Sequence, residues 1–212
     1  MNKIFFEKSQ TSLFVSGPCG DLEAIIHKPT QENKQFIAVV CHPHPLYQGT
    51  MNNKVVTTLA KLWSDLGYYT VRFNFRGVGK SAGTYDEGLG EVDDALTIIQ
   101  WLQQQFPNRQ LILSGFSFGS FVAAQAALKV DVATLILIAP PVTNLRFSQL
   151  AEFSCPWIVV QGEQDEIVAV DEVIAWCQAR QHPPQLILMP KTTHFFHGRL
   201  TELREKLIAA FK

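Results

Sequence analysis

The sequence predicts one α/β domain over residues 1–212, a mostly parallel sheet with helices on both faces. Three observations carry that expectation. Apolar runs of strand length alternate with segments of helical period along nearly the whole chain. The later strands are continuous apolar runs, as strands covered on both faces must be. The composition, 47% hydrophobic and 17% charged in 212 residues, suits a packed core that needs no disulfides.

The elements follow in order. Residues 12–16 and 22–28 flank the turn Gly17-Pro18-Cys19-Gly20 and read as a hairpin. Residues 36–41 form a β-branched strand. Residues 55–66 place Val55, Leu59, Leu62, Trp63 and Leu66 at helical spacing, and Gly67 closes that helix. A strand over 68–75 precedes a helix over 91–106, opened by Glu91, Asp93 and Asp94, which suit a helix N-terminus. Strand 110–115, helix 118–129 and strand 133–139 continue the alternation. Strand 157–162, helix 171–180, strand 185–189 and helix 199–211 complete it. The connection from Val142 to Pro156 is too short to bury a core of its own, so no cap domain is expected.

Charge narrows the function classes. Eighteen Lys+Arg against nineteen Asp+Glu give a net charge of −1, with no single-sign run. Neither nucleic acid nor a membrane surface is therefore an expected partner. Cys19, Cys41, Cys155 and Cys177 are scattered, without the spacing of a zinc site. The N-terminus reaches Glu7 and Lys8 too soon for a signal peptide, and no apolar run approaches the roughly 20 residues of a membrane span. The expectation is a soluble cytoplasmic protein of unknown oligomeric state.

The chemistry begins at Gly115-Phe116-Ser117-Phe118-Gly119, between a predicted strand and a predicted helix. A sharp strand-to-helix turn of the form G-x-S-x-G lifts the serine hydroxyl above the sheet, near the free N–H groups of a helix start. This composition gives roughly 0.04 such motifs by chance, so Ser117 reads as a nucleophile. A serine nucleophile needs a base, and the base needs an orienting acid, in the chain order Ser, Asp/Glu, His. Asp165 follows the strand at 157–162, and His194 follows the last strand. Glu163 and Glu166 compete with Asp165 but read as solvated loop charges. His197 competes with His194, which comes first after the strand. His27 and His182 read as structural or exposed.

Acyl transfer also needs two N–H donors aimed at an oxyanion. The residue after the nucleophile, Phe118, supplies one; the loop His42-Pro43-His44-Pro45-Leu46 supplies the other. Proline has no N–H, so His44 is the expected donor, with Leu46 as the fallback. His42 is expected to hold the loop through its side chain. Tyr47, Met51, Val142, Phe147, Phe195 and Phe196 are the apolar candidates for lining an acyl pocket.

The whole chain resembles a minimal α/β-hydrolase, similar to the small lidless bacterial hydrolases near the dienelactone-hydrolase group. The resembling stretches are HPHPLYQGTMNNKVV (42–56), NFRGVGKSAG (74–83), GEVDDAL (90–96), GFSFG (115–119), GEQDEIV (162–168) and HFFHGRL (194–200). The resemblance implies an eight-stranded sheet and a triad of Ser117, Asp165 and His194. One residue departs from it: dienelactone hydrolase carries a cysteine nucleophile where this chain has Ser117.

Two other patterns carry less. Gly77-Val78-Gly79-Lys80-Ser81 lacks the first glycine of a P-loop, since Asn74 stands there. As a dinucleotide fingerprint it fails too, because loop follows where a helix should open. His42, His44, His194 and His197 could be drawn with Asp165 as a metal site, but the usual metal-hydrolase run is missing. No cofactor and no metal are expected, and Arg76 and Asp94 read as scaffold charges. The predicted function is a serine hydrolase of small carboxylic esters or thioesters, working through an acyl-enzyme on a small-molecule acyl substrate. A peptidase or acyltransferase with the same triad, or a non-catalytic scaffold of this fold, is the alternative.

Overall fold

The computed structural model describes residues 8–211. Residues 1–7, on which the expectation of no leader segment mostly rests, lie outside the described residues. Strands β1 (Gln10–Gly17), β2 (Gly20–His27), β3 (Phe36–Cys41) and β4 (Tyr69–Phe73) come first, with helix α1 (Lys54–Asp65) between the last two. Helix α2 (Leu89–Gln105), β5 (Gln110–Phe116), α3 (Phe118–Ala127) and β6 (Thr134–Ile138) follow. A short α4 (Leu145–Ser148), then β7 (Trp157–Gly162), α5 (Val170–Gln178), β8 (Gln185–Met189) and α6 (Leu200–Phe211) complete the chain.

The strands form one eight-stranded sheet in the order β1-β2-β4-β3-β5-β6-β7-β8. β1 pairs antiparallel with β2 and β2 antiparallel with β4; every later pairing is parallel. Side chains along the central strands alternate between two cores. On one face Val39 and Leu113 pack with residues of α2, α3 and α5; on the other Val40 and Ile112 pack with α1 and α6. That is why these strands read as unbroken apolar runs. Buried Trp63 of α1 satisfies its indole N–H on Ser114 Oγ at 3.1 Å, so the large ring adds contact without an unpaired donor.

Element boundaries differ from expectation at two instructive places. α2 starts at Leu89, earlier than its apolar period suggests, because the buried Glu91 carboxylate accepts the N–H groups of Asp86 and Gly88 at 2.9 and 2.8 Å. β4 stops at Phe73: Asn74 N–H still donates to Glu23 O at 2.8 Å, but the next pairing bond is replaced by Ser81 Oγ, and Phe75 N–H goes to His42 Nε2 as the chain becomes a loop. That loop holds Gly77, Gly79 and Lys80. Ser81 Oγ donates to Asn74 O and accepts from Glu23 N–H, while Asn74 Nδ2 donates to Glu23 Oε2, which ties the loop to β2. Its glycines therefore serve a structural tie. The Val142–Pro156 connection carries only α4, and Phe147, Leu150 and Phe153 from it are buried in the core. No helix among the described residues is long and apolar enough to cross a membrane.

Candidate active site

Parallel order brings the carboxyl ends of β3, β5, β7 and β8 to one edge of the sheet, where open α/β sheets collect their functional groups. Ser117 follows β5 with φ 53° and ψ −120°, a left-handed backbone that a non-glycine residue holds only under constraint. The constraint is visible. Ser117 N–H donates to Ile138 O at 2.8 Å, and Ser120 Oγ donates to Gly115 O and Ile138 O at 2.8 and 2.9 Å. Close approach needs the flanking glycines: a Cβ at Gly115 would lie 2.1 Å from Gly119 O, and one at Gly119 would lie 2.4 Å from Cys41 O.

The loops after β7 and β8 bring Asp165 and His194 to this turn. His194 Nε2 lies 3.0 Å from Ser117 Oγ, and His194 Nδ1 lies 2.8 Å from Asp165 Oδ2. Asp165 Oδ1 accepts the N–H groups of Ile167 and Val168 at 2.9 and 2.8 Å, and Oδ2 also accepts Gln161 Nε2 at 2.9 Å. Burial alone would raise the carboxyl pKa. The His194 hydrogen bond and the Val168 and Ile167 N–H groups outweigh burial and hold it below its ordinary value. An ionised Asp165 keeps the imidazole proton on Nδ1, which leaves Nε2 free to take a hydroxyl proton. His197 is exposed and stacks on Phe195, away from this row.

Three neighbours escaped the sequence reading or were misread by it. Gln161 holds Asp165 and Val168 O from inside β7. A polar residue within an apolar strand must find buried partners, and that was its signal. Glu166 accepts His194 N–H at 3.1 Å, so it braces the histidine loop and is more than a solvated charge. Tyr85 reaches His44 Nε2 at 3.2 Å, and nothing in the local pattern foretells it.

The loop after β3 lies beside the serine turn because Cys41 pairs with Gly115. His42 is fully buried. Its Nε2 accepts Phe75 N–H at 3.1 Å, so its ring proton sits on Nδ1 and is donated to Pro43 O at 2.6 Å. Burial pushes its pKa down to about 3, which keeps it in that neutral form. No cis peptide occurs among the described residues, so His44 N–H points opposite to the Pro43 carbonyl that His42 grips. The N–H groups of His44 and Phe118 have no hydrogen-bond acceptor among the described residues. The Leu46 N–H, by contrast, is spent on His44 Nδ1 at 3.2 Å, which removes it as a fallback donor.

These groups border a cleft of about 620 Å³. Its walls include Tyr47 and Phe195, as expected, together with Tyr85, Phe121 and Ile167. The other four expected lining residues lie elsewhere. Met51, Val142 and Phe147 are buried in the core, as is Phe196, because apolar side chains beside a cleft gain more contact packed under it than facing it. Arg76 and Asp94 form a buried, doubly bonded pair at 2.8–3.2 Å, a scaffold role. Among the described residues, no group of three or more His, Cys, Asp or Glu converges as a metal site.

Comparison with known proteins places this geometry. The family described as alpha/beta hydrolase fold matches residues 46–154. A solved alpha-beta serine hydrolase homologue from Coxiella burnetii is 44% identical, with a TM-score of 0.94 over 98% of this chain and all of that one. An a/b serine hydrolase without lid from Xanthomonas campestris is 41% identical, with a TM-score of 0.90 over 96% of this chain and 94% of that one. The lysophosphatidylserine lipase ABHD12 of Danio rerio is 34% identical over 113 residues, 50% of this chain but 29% of that protein. The family match over half of the chain and the full-length serine hydrolase relatives agree with the sheet order and the strained serine turn: the chain belongs to the α/β-hydrolase family.

Proposed function

We propose that this protein cleaves small carboxylic esters or thioesters through an acyl-enzyme, with Ser117 as nucleophile, His194 as base and Asp165 as the orienting acid. The observation that carries the proposal is the unbroken row from Ser117 Oγ through His194 to Asp165, at 3.0 and 2.8 Å. His194 Nε2 takes the Ser117 proton as Oγ attacks the acyl carbon. The N–H groups of Phe118 and His44 stabilise the oxyanion, and the same histidine then protonates the leaving group. Water repeats the sequence in reverse to free the acid. Esters and thioesters have better leaving groups than resonance-stabilised amides and so ask less of the site, which supports an ester or thioester over an amide substrate. The lipase named among the relatives is consistent with that bond class.

A fluorophosphonate probe tests the proposal. Labelling at Ser117 that is lost in Ser117→Ala is the expected result. An unlabelled Ser117 with intact fold would overturn the hydrolase reading in favour of a non-catalytic scaffold.

A further inference from the structure

Proton bookkeeping at His44 leaves one donor unspent at the cleft. His44 Nδ1 accepts the Leu46 N–H at 3.2 Å, so it cannot carry a proton itself. Burial lowers the pKa of this imidazole, which keeps it neutral. Its one ring proton therefore sits on Nε2 and is donated to Tyr85 Oη at 3.2 Å. Tyr85 is the acceptor in that bond, and its own hydroxyl hydrogen has no acceptor among the described residues. The ring is fixed rather than free: its centroid lies 5.1 Å from that of His44 and 6.0 Å from that of Phe118. Burial, with smaller effects from Glu91 and Glu87, raises the phenol pKa, so the hydrogen stays on through the neutral range. Tyr85, His44, Ser117 and Phe118 all border the same cleft.

We propose that Tyr85 Oη–H is a substrate-facing donor that selects esters bearing a second acceptor oxygen, a hydroxyl, carbonyl or carboxylate, beyond the reacting ester. A plain alkyl ester leaves this half-buried donor without a partner once it displaces water from the cleft. An ester with a suitably placed oxygen satisfies it. A site built around such a donor discriminates against the analogue lacking the acceptor. The inference rests on the ester-hydrolase reading above.

Two matched pairs of esters test it, one for each side of the scissile bond. p-Nitrophenyl 4-oxopentanoate is compared with p-nitrophenyl pentanoate, and glycerol monobutyrate with propyl butyrate. Wild type should favour the oxygen-bearing member in at least one pair. Tyr85→Phe, which keeps the ring and its packing, should lower that kcat/KM ratio by about 3–10-fold. A ratio unchanged in Tyr85→Phe, or no preference in wild type, overturns the inference. Fluorophosphonate labelling of both proteins separates the two claims. Retained labelling with an unchanged ratio removes only the role of Tyr85, whereas absent labelling in wild type removes the hydrolase reading and this inference with it.

Discussion

His194 links the two ends of the site, with its two ring nitrogens on Ser117 and Asp165 and its backbone N–H on Glu166. Groups that act as a unit lose activity as a unit. Ser117→Ala and His194→Ala should each lower ester kcat by about 10⁴-fold or more, and Asp165→Ala added to either should cost little further. Full activity in His194→Ala with loss in His197→Ala would reverse the assignment of the base. His42 offers a subtler test. His42→Gln puts an amide oxygen near the Nε2 position to accept the Phe75 N–H but leaves only a methylene where Nδ1 gripped Pro43 O. With that carbonyl released, the His44 N–H loses its fixed direction, and kcat should fall about 10–100-fold while KM changes little. Equal effects on kcat and KM would count against the proposed oxyanion role. The proposed triad residues could be picked out in the sequence because each follows an apolar strand, and the structure brings them within hydrogen-bond distance. Tyr85 was not legible, because its role depends on His44, 41 residues away in the chain; Gln161 carried only the signal of a polar residue in an apolar strand, which does not name its partners.

The strand–turn–helix unit β5–Ser117–α3 is crowded against rigid backbone. A Cβ at Gly119 would stand 2.4 Å from Cys41 O and 2.5 Å from His42 O, both rigid backbone. Gly119→Ala should therefore destabilise the fold by about 3 kcal/mol or more, at the severe end for overpacking, as a lower urea midpoint. A midpoint within error of wild type would show that α3 shifts freely away from β3. Periodicity placed the strands and helices within a few residues of where they lie. It missed the start of α2, since an N-terminus set by the Glu91 carboxylate is a matter of local hydrogen bonds and not of apolar spacing.

Two buried histidines make the stability of the whole molecule acid-sensitive. His27 titrates at about 4 and His42 at about 3, against 6.5 for the free side chain, and burial is the chief cause for both. Between those values and 6.5 the unfolded chain binds protons that the folded chain refuses. Stability is thus fully present above about pH 6.5 and falls on acidification, by up to about 1.4 kcal/mol per pH unit for each histidine. His27 Nε2 accepts Arg72 Nε–H at 3.0 Å, and Gln can supply that acceptor without titrating. His27→Gln should flatten the fall between pH 6.5 and 4 in urea titrations; an unchanged slope would assign the acid sensitivity elsewhere. The open cleft sets a second whole-molecule expectation. No cap encloses it, so each added CH₂ gains at most about 0.8 kcal/mol, and nothing beyond the rim. For p-nitrophenyl esters from acetate to palmitate, kcat/KM should peak at roughly C2–C6, with no jump at the micelle threshold. A long-chain optimum would contradict it.

By itself the sequence determined the alternation of strands and helices, the missing cap and the loops that carry Ser117, Asp165 and His194. These are properties of period, length and turn chemistry, which neighbours along the chain encode. Only the tertiary structure decided the order β1-β2-β4-β3-β5-β6-β7-β8 and the choice of His44 over Leu46 as a free donor. It also decided that Met51, Val142, Phe147 and Phe196 pack in the core while Tyr85 and Ile167 border the cleft. Each of those outcomes turns on which groups meet across long stretches of chain. An apolar side chain fits a core and a cleft wall equally well by composition, and only the packing around it says which it joins.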